Sequence, residues 1–270
     1  MKFTFLRINM NENFLFALAL TTLAGLSTGI GGIISCFAKR ENYKFLTISL
    51  GFSAGVMIYV SFVEILQESI ELSAKNLDGK FGEILPILAF FAGIAIIAII
   101  DKAIPQEDNP HEFSSMGDHA SKKLMRTGIF TALAIAIHNF PEGLATFISA
   151  YSNPQVAIAI AFAIALHNIP EGIAVASPIY QATGSKKKAI FYSFSSGLAE
   201  PIGGIIGFLL LMPFLNDVVL AVVFAVVAGI MVYISIDELL PAAETFGEHH
   251  LGIGGFVAGM AVMALSLLIL

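Results

Sequence analysis

The sequence predicts an all-α membrane protein of eight transmembrane helices, and three observations predict it. Of its 270 residues, 57% are hydrophobic and 13% charged, with a mean hydropathy of +0.84; a soluble domain carries about 25% charged and 45–50% apolar residues. The apolar residues gather into stretches of roughly 20, the length a helix needs to cross a bilayer. Finally, pieces of the first three stretches recur in the last three. Helices are expected at 14–37, 45–67, 83–103, 126–149, 155–178, 188–211, 218–240 and 251–270, within one transmembrane domain covering 1–270.

The first helix lies in an unbroken apolar run, Asn13–Ala38, which is too long for a cleavable leader. It contains Gly25-Leu-Ser-Thr-Gly-Ile-Gly-Gly-Ile-Ile34. The second contains Gly55-Val-Met-Ile-Tyr-Val-Ser61 and then Glu64; the third contains Ala92-Gly93. A polar stretch with Pro105, Pro110, His111 and His119 follows, expected as a cytoplasmic loop over 101–124. The fourth and fifth helices carry His138-Asn139-Phe140-Pro141-Glu142-Gly143 and, 29 residues later, His167-Asn168-Ile169-Pro170-Glu171-Gly172. The sixth matches the first at seven of ten positions over Gly197–Ile206, and holds Glu200-Pro201. The seventh matches the second over Gly229–Ser235, and Glu238 falls where Glu64 stands. Ala258-Gly259 of the eighth weakly answers Ala92-Gly93, and the chain stops inside this last span.

Lys and Arg gather in cytoplasmic loops. With the N-terminus outside, ten lie inside (39, 40, 44, 102, 122, 123, 126 and 186–188) and four outside (2, 7, 75 and 80). Both termini are therefore expected outside, and matched helices then run in opposite directions. The chain reads as an inverted repeat of helices 1–3 and 6–8 around helices 4 and 5, the pattern of secondary transporters. The alternative is chance likeness between glycine-rich helices; the nearly constant offsets of 172 and 174 argue against it.

Three carboxylates at mid-membrane depth cost roughly 2.5–3.5 kcal/mol each on insertion. On a helix, i and i+4 share a face, so His138 stacks over Glu142 and His167 over Glu171, with Asn139 and Asn168 alongside. Pro141, Pro170 and Pro201 remove backbone donors and are expected to loosen their helices. Imidazole, amide oxygen and carboxylate together suit Zn²⁺, Fe²⁺, Mn²⁺ and related dications. Two adjacent ions, bridged by Glu142 and Glu171 with Glu200 reaching the second, would neutralise all three acids. The single Cys36 excludes a cysteine cluster and an intramolecular disulfide. No nucleotide-cradling loop is present, so ATP hydrolysis by this chain is excluded; neither an organic cofactor nor a nucleic-acid partner is expected.

Paired HNxPEG motifs on consecutive helices of an eight-span chain resemble the ZIP (zinc/iron-regulated transporter-like) family, in its bacterial zinc-uptake branch. The likeness covers essentially the whole chain, and the paired motif is very specific. It implies import of divalent metal across a bacterial inner membrane, a binuclear centre, and a homodimer. By resemblance, one metal position takes His138, Glu142, His167 and Glu171; the other takes Asn139, Glu142, Asn168, Glu171 and Glu200. Some family members have Gln-Asp in place of His167-Asn168. Histidine in both motifs fits the broad-specificity branch, which moves iron, cobalt and manganese besides zinc. The loop, with only His111 and His119, lacks the histidine-rich character of many eukaryotic members.

Glu64 and Glu68 fall toward the outer end of helix 2, and Asp237 and Glu238 toward the inner end of helix 7. They are candidate acidic stations for intake and release, with Glu244, Glu248, His249 and His250 as a cytoplasmic landing zone; wet helix ends are the plain alternative. Met57 and Met231 match in the repeat, as packing or as soft ligands. Two rivals remain: an intramembrane metalloenzyme using the same centre to activate water, and an efflux carrier of the same architecture. No HExxH motif supports the enzyme.

Overall fold

A computed structural model describes residues 12–38, 42–103, 116–152, 154–211, 216–246 and 249–269, all of whose regular structure is helical. We number the helical rods α1 (Glu12–Ser35), α2 (43–76), α3 (Phe81–Ala103), α4 (Met116–Ser152), α5 (Pro154–Thr183), α6 (186–211), α7 (217–246) and α8 (His249–Ile269). Local chemistry sets several boundaries. Asn42, Ser185 and Asn216 are side-chain caps, each accepting the amide N–H three residues on. Gly79 and Gly184 take the positive φ values of 64° and 66° needed to turn α2 into α3 and α5 into α6.

Five rods are long and apolar enough to cross a membrane: Glu12–Ser35, Tyr43–Asn76, Phe81–Lys102, Asp217–Glu244 and His249–Leu268. Of the remaining rods, α4 and α5 are each one continuous helix, and α6 is divided at Leu198 into Lys186–Gly197 and Ala199–Ile206, followed by a π turn over Gly207–Leu211. The division follows from Pro201, which has no N–H to give the carbonyl of Gly197. Pro141 and Pro170 remove two backbone donors without breaking their rods: α4 and α5 run helical through both. The expected loop over 101–124 is also shorter, because α3 continues to Ala103 and α4 begins at Met116. His111 and Glu248 lie outside the described residues. The second helix extends to Asn76, nine residues beyond the expected 67, on a capped and strongly amphipathic last segment.

Two wide π turns interrupt otherwise α-helical rods at matched places, Ser61–Ile65 in α2 and Ser235–Leu239 in α7. In each, the leading serine hydroxyl donates to the carbonyl four residues back, Met57 (2.7 Å) and Met231 (2.8 Å). Such turns insert a residue and re-aim the side chains beyond them.

The rods pack as two groups, α1, α4, α5 and α6 in one and α2, α3, α7 and α8 in the other, meeting chiefly along α2–α5 and α4–α7. Rods consecutive in the chain alternate in direction, whereas α1 with α5 and α2 with α8 pack parallel. Cys36 reaches the carbonyl of Lys186, Thr47 that of Ala243 and Arg126 pairs with Asp101 at one end; Asn76 bonds Asp217 at the other. Missing side chains allow backbone-to-backbone approach. A Cβ on Gly55 would collide with the carbonyl of Phe256, and one on Gly229 with that of Phe90. Between the groups, Ser53 Oγ donates to the carbonyl of Pro170 at 2.7 Å.

Candidate metal centre

The centre lies within the first group, walled by α4, α5, α1 and α6. Its depth rests on glycines: a Cβ on Gly143 would collide with the carbonyl of Glu200, and one on Gly172 with the carbonyl of Thr28. These two contacts bring α6 and α1 against the two motifs from opposite sides. Gly203 against Phe140 and Gly31 against Ile169 repeat the pattern one turn on.

Both imidazoles face the carboxylates. His138 Nε2 lies 3.3 Å from Glu142 Oε2 and 3.3 Å from Glu171 Oε1, while His167 Nε2 lies 2.6 Å from Glu142 Oε1. One ligand atom each from His138, Glu142 and His167 falls within a 4.8 Å cluster. The 3.3 Å separations equal the ligand-to-ligand edge of a tetrahedron with bonds of about 2.0–2.1 Å, the Zn–N and Zn–O range. The His167–Glu142 contact is a hydrogen bond that an arriving cation would replace. His138, His167 and Glu171 are buried and Glu142 is nearly so. Their charges are met by one another alone, since the polar atoms of this cluster include buried oxygens of Glu142 and Glu171 with no hydrogen-bond donor.

Glu200, fully buried, stands to one side, where Asn168 Nδ2 donates to its Oε1. The same amide donates to the carbonyl of Ala24 (3.1 Å), and Asn139 donates likewise to that of Ser196 (3.4 Å). In both asparagines Oδ1 is buried without a partner, leaving two amide oxygens free to accept a cation. The structure thus joins His138, Glu142, His167 and Glu171 in one cluster and Asn168 with Glu200 beside it, while Asn139 turns its amide to α6. The place that Glu200 holds on α6 is held on α1 by Thr28, whose hydroxyl is fully buried and unpartnered. The motifs do not mark Thr28; the matching of the first and sixth helices could have, since it aligns Thr28 with Glu200.

The four flanking acids separate. Glu64 sits in the π turn of α2 with a buried, unpartnered Oε2, and His167 and Glu142 are among the charges that act on it. Glu68 is exposed beside Glu64 and Glu71, one turn farther from the centre. Asp237 and Glu238 open onto a cavity of about 250 Å³ at the end where α3 meets α4, lined also by Asp101, Lys123, Arg126 and Thr127. Sequence reasoning missed Asp101 and Arg126 there. Glu244 accepts from His249 Nδ1 at 2.8 Å on an exposed surface, with His250 edge-on against His249.

Comparison with known proteins agrees over almost the full length. The family model described as ZIP Zinc transporter matches residues 6–101 and 102–267. The zinc transporter ZupT of Streptococcus mutans is 60% identical over 262 residues, covering 96% of this chain and 99% of the relative. ZupT of Chlorobium chlorochromatii is 58% identical over 266 residues, covering 96% and 99%. ZupT of Clostridium perfringens is 57% identical over 279 aligned positions, covering 97% and 98%.

Proposed function

The chain belongs to the ZIP zinc-transporter family, and from that premise we propose that it imports zinc into the cytoplasm through the His–Asn–Glu centre. Family membership makes it a multi-pass membrane transporter and not an enzyme. The observation that carries the reading is the convergence of both imidazole Nε2 atoms on Glu142, with Glu171 at tetrahedral spacing from His138.

In this reading one ion sits among His138, Glu142, His167 and Glu171. A second sits beside it among Asn139, Asn168, Glu200 and the two shared carboxylates, with the free amide oxygens as support. Iron, manganese, cobalt and cadmium are accepted too, because borderline nitrogen and oxygen donors discriminate weakly among these dications. Glu64 and Glu68 receive the ion outside; Asp237 and Glu238 release it inside, toward Glu244, Glu248, His249 and His250. The termini are outside, the whole chain is one domain with a cytoplasmic connection inside 101–124, and the transporter is a homodimer in the bacterial inner membrane. The inverted repeat is supported by reciprocal contacts: Gly55 on Phe256 answers Gly229 on Phe90, and Gly143 on Glu200 answers Gly172 on Thr28. One helix group moves against the other to expose the centre alternately.

Two charges moving inward gain about 2 × 2.3 kcal/mol per 100 mV of inside-negative potential, so no other energy source is required. Zinc flux into proteoliposomes tests the function. Wild-type protein should carry zinc inward without any other substrate and Glu142→Ala should not. Equal flux from both would sink the reading.

A further inference from the structure

The two acidic stations match in sequence and in backbone but not in electrostatic company. The charges that act on Glu64 are His167 of the centre and Glu142, and no guanidinium is among them. Glu238 shares its cavity with Asp101, Asp237, Lys123 and Arg126. Arg126 Nη2 lies 2.8 Å from Asp101 Oδ1, with side chains 36% and 17% exposed, so the pair is partly withdrawn from water. Arg126 Nε is buried with no hydrogen-bond partner, and the guanidinium also acts on Glu238. A permanently charged group therefore sits among three carboxylates with donor capacity to spare.

We propose that Arg126 is a tethered counter-cation of the release cavity, which takes up the carboxylates that a departing dication would otherwise keep. The inference rests on the reading of Glu238 as the release station. Three carboxylates in a half-buried pocket hold a dication well, and a pocket that holds well releases slowly. A guanidinium on α4 repels the passing ion and occupies each carboxylate as the ion leaves it. Among the charges that act on Glu64 there is no guanidinium, so the competition is weighted toward the inner station. No bond is made or broken, and Arg126 is unchanged after each passage.

The experiment compares purified, reconstituted wild type with Arg126→Gln, Arg126→Lys, Asp101→Asn and the double variant Arg126→Gln/Asp101→Asn. Initial rates of zinc uptake give Vmax and KM, and equilibrium dialysis in detergent gives zinc held per chain. For Arg126→Gln we expect Vmax to fall about five- to tenfold at nearly unchanged KM, with about one more zinc retained, as an unopposed acidic pocket requires. Arg126→Lys should keep at least about half of Vmax, because it preserves the charge. Asp101→Asn should restore Vmax to the Gln variant by rebalancing the pocket. A merely structural ion pair gives the opposite result, since breaking it from both sides rescues nothing. The proposal is overturned by wild-type Vmax in Arg126→Gln or by failure of that rescue. Should Arg126→Gln not fold, Arg126→Lys decides with the dialysis readout: at least about half of the wild-type Vmax with no extra zinc retained supports the proposal, and extra retained zinc or a larger fall overturns it. Loss of zinc flux in the wild type would strike the function itself, whereas these outcomes touch only Arg126.

Discussion

At the residue scale, the centre is a set of buried acids kept tolerable by neighbours that can share a cation. Glu171 and Glu200 are completely buried, and each ionised carboxylate in such surroundings needs a partner. Glu142 is the hub, because both imidazoles address it. Replacing it with Gln keeps the shape but removes the bridging charge. Zinc uptake by Glu142→Gln should fall at least about a hundredfold, as expected for a ligand of the transported ion; detergent-solubilised protein should still elute as wild type. Protons compete with the cation for both imidazoles and for the carboxylates. Lowering external pH should therefore raise the apparent KM for zinc, and raising it toward neutrality should reverse the effect. A pH-independent KM across pH 5 to 7 would speak against imidazole ligation.

At the scale of elements, the glycines decide how near the walls come. Gly143→Ala would force α4 off the backbone of Glu200. Overpacking of this kind costs about 1–3 kcal/mol. We expect a lowered melting temperature and lost uptake, whereas Gly254→Ala, which meets open space, should change neither. The π turn of α2 makes a second test. Deleting Val63 would let the rod close to regular α-helix, keeping the segment beyond it in register but re-aiming the side chains of the turn itself, Glu64 among them; uptake should fall even if the protein folds. Much of this architecture is legible in the sequence. The apolar spans, the pairing of His138 with Glu142 and the gathering of the two motifs follow from hydropathy and helical spacing; His167 meets Glu142 of the other helix rather than its own Glu171, which spacing along one helix does not show. The π turns do not follow either, because an inserted residue leaves no mark in residue type. Nor do the unbroken courses of α4 and α5 through Pro141 and Pro170. The ion pair of Asp101 with Arg126 joins two rods across the least patterned stretch of the chain, so spacing could not pair them.

At the scale of the whole molecule, two helix groups meet along α2–α5 and α4–α7, and Ser53 to Pro170 is a hydrogen bond across that seam. Sliding of one group past the other must break it. Ser53→Ala, which removes a bond of about 0.5–1.5 kcal/mol, should shift the balance of outward- and inward-facing forms by roughly threefold to tenfold. Protection of single cysteines against thiol reagents on each side would report that shift, and unchanged protection would remove Ser53 from the seam. Within the first group, Thr28 occupies the place that mirrors Glu200. A chamber with interchangeable walls gives its occupant no reason to rest nearer one than the other. Here one wall is an acid and the facing wall an alcohol, so the resting place is drawn off centre toward α6. The lopsidedness comes from Thr28 standing on one helix where Glu200 stands on the corresponding one.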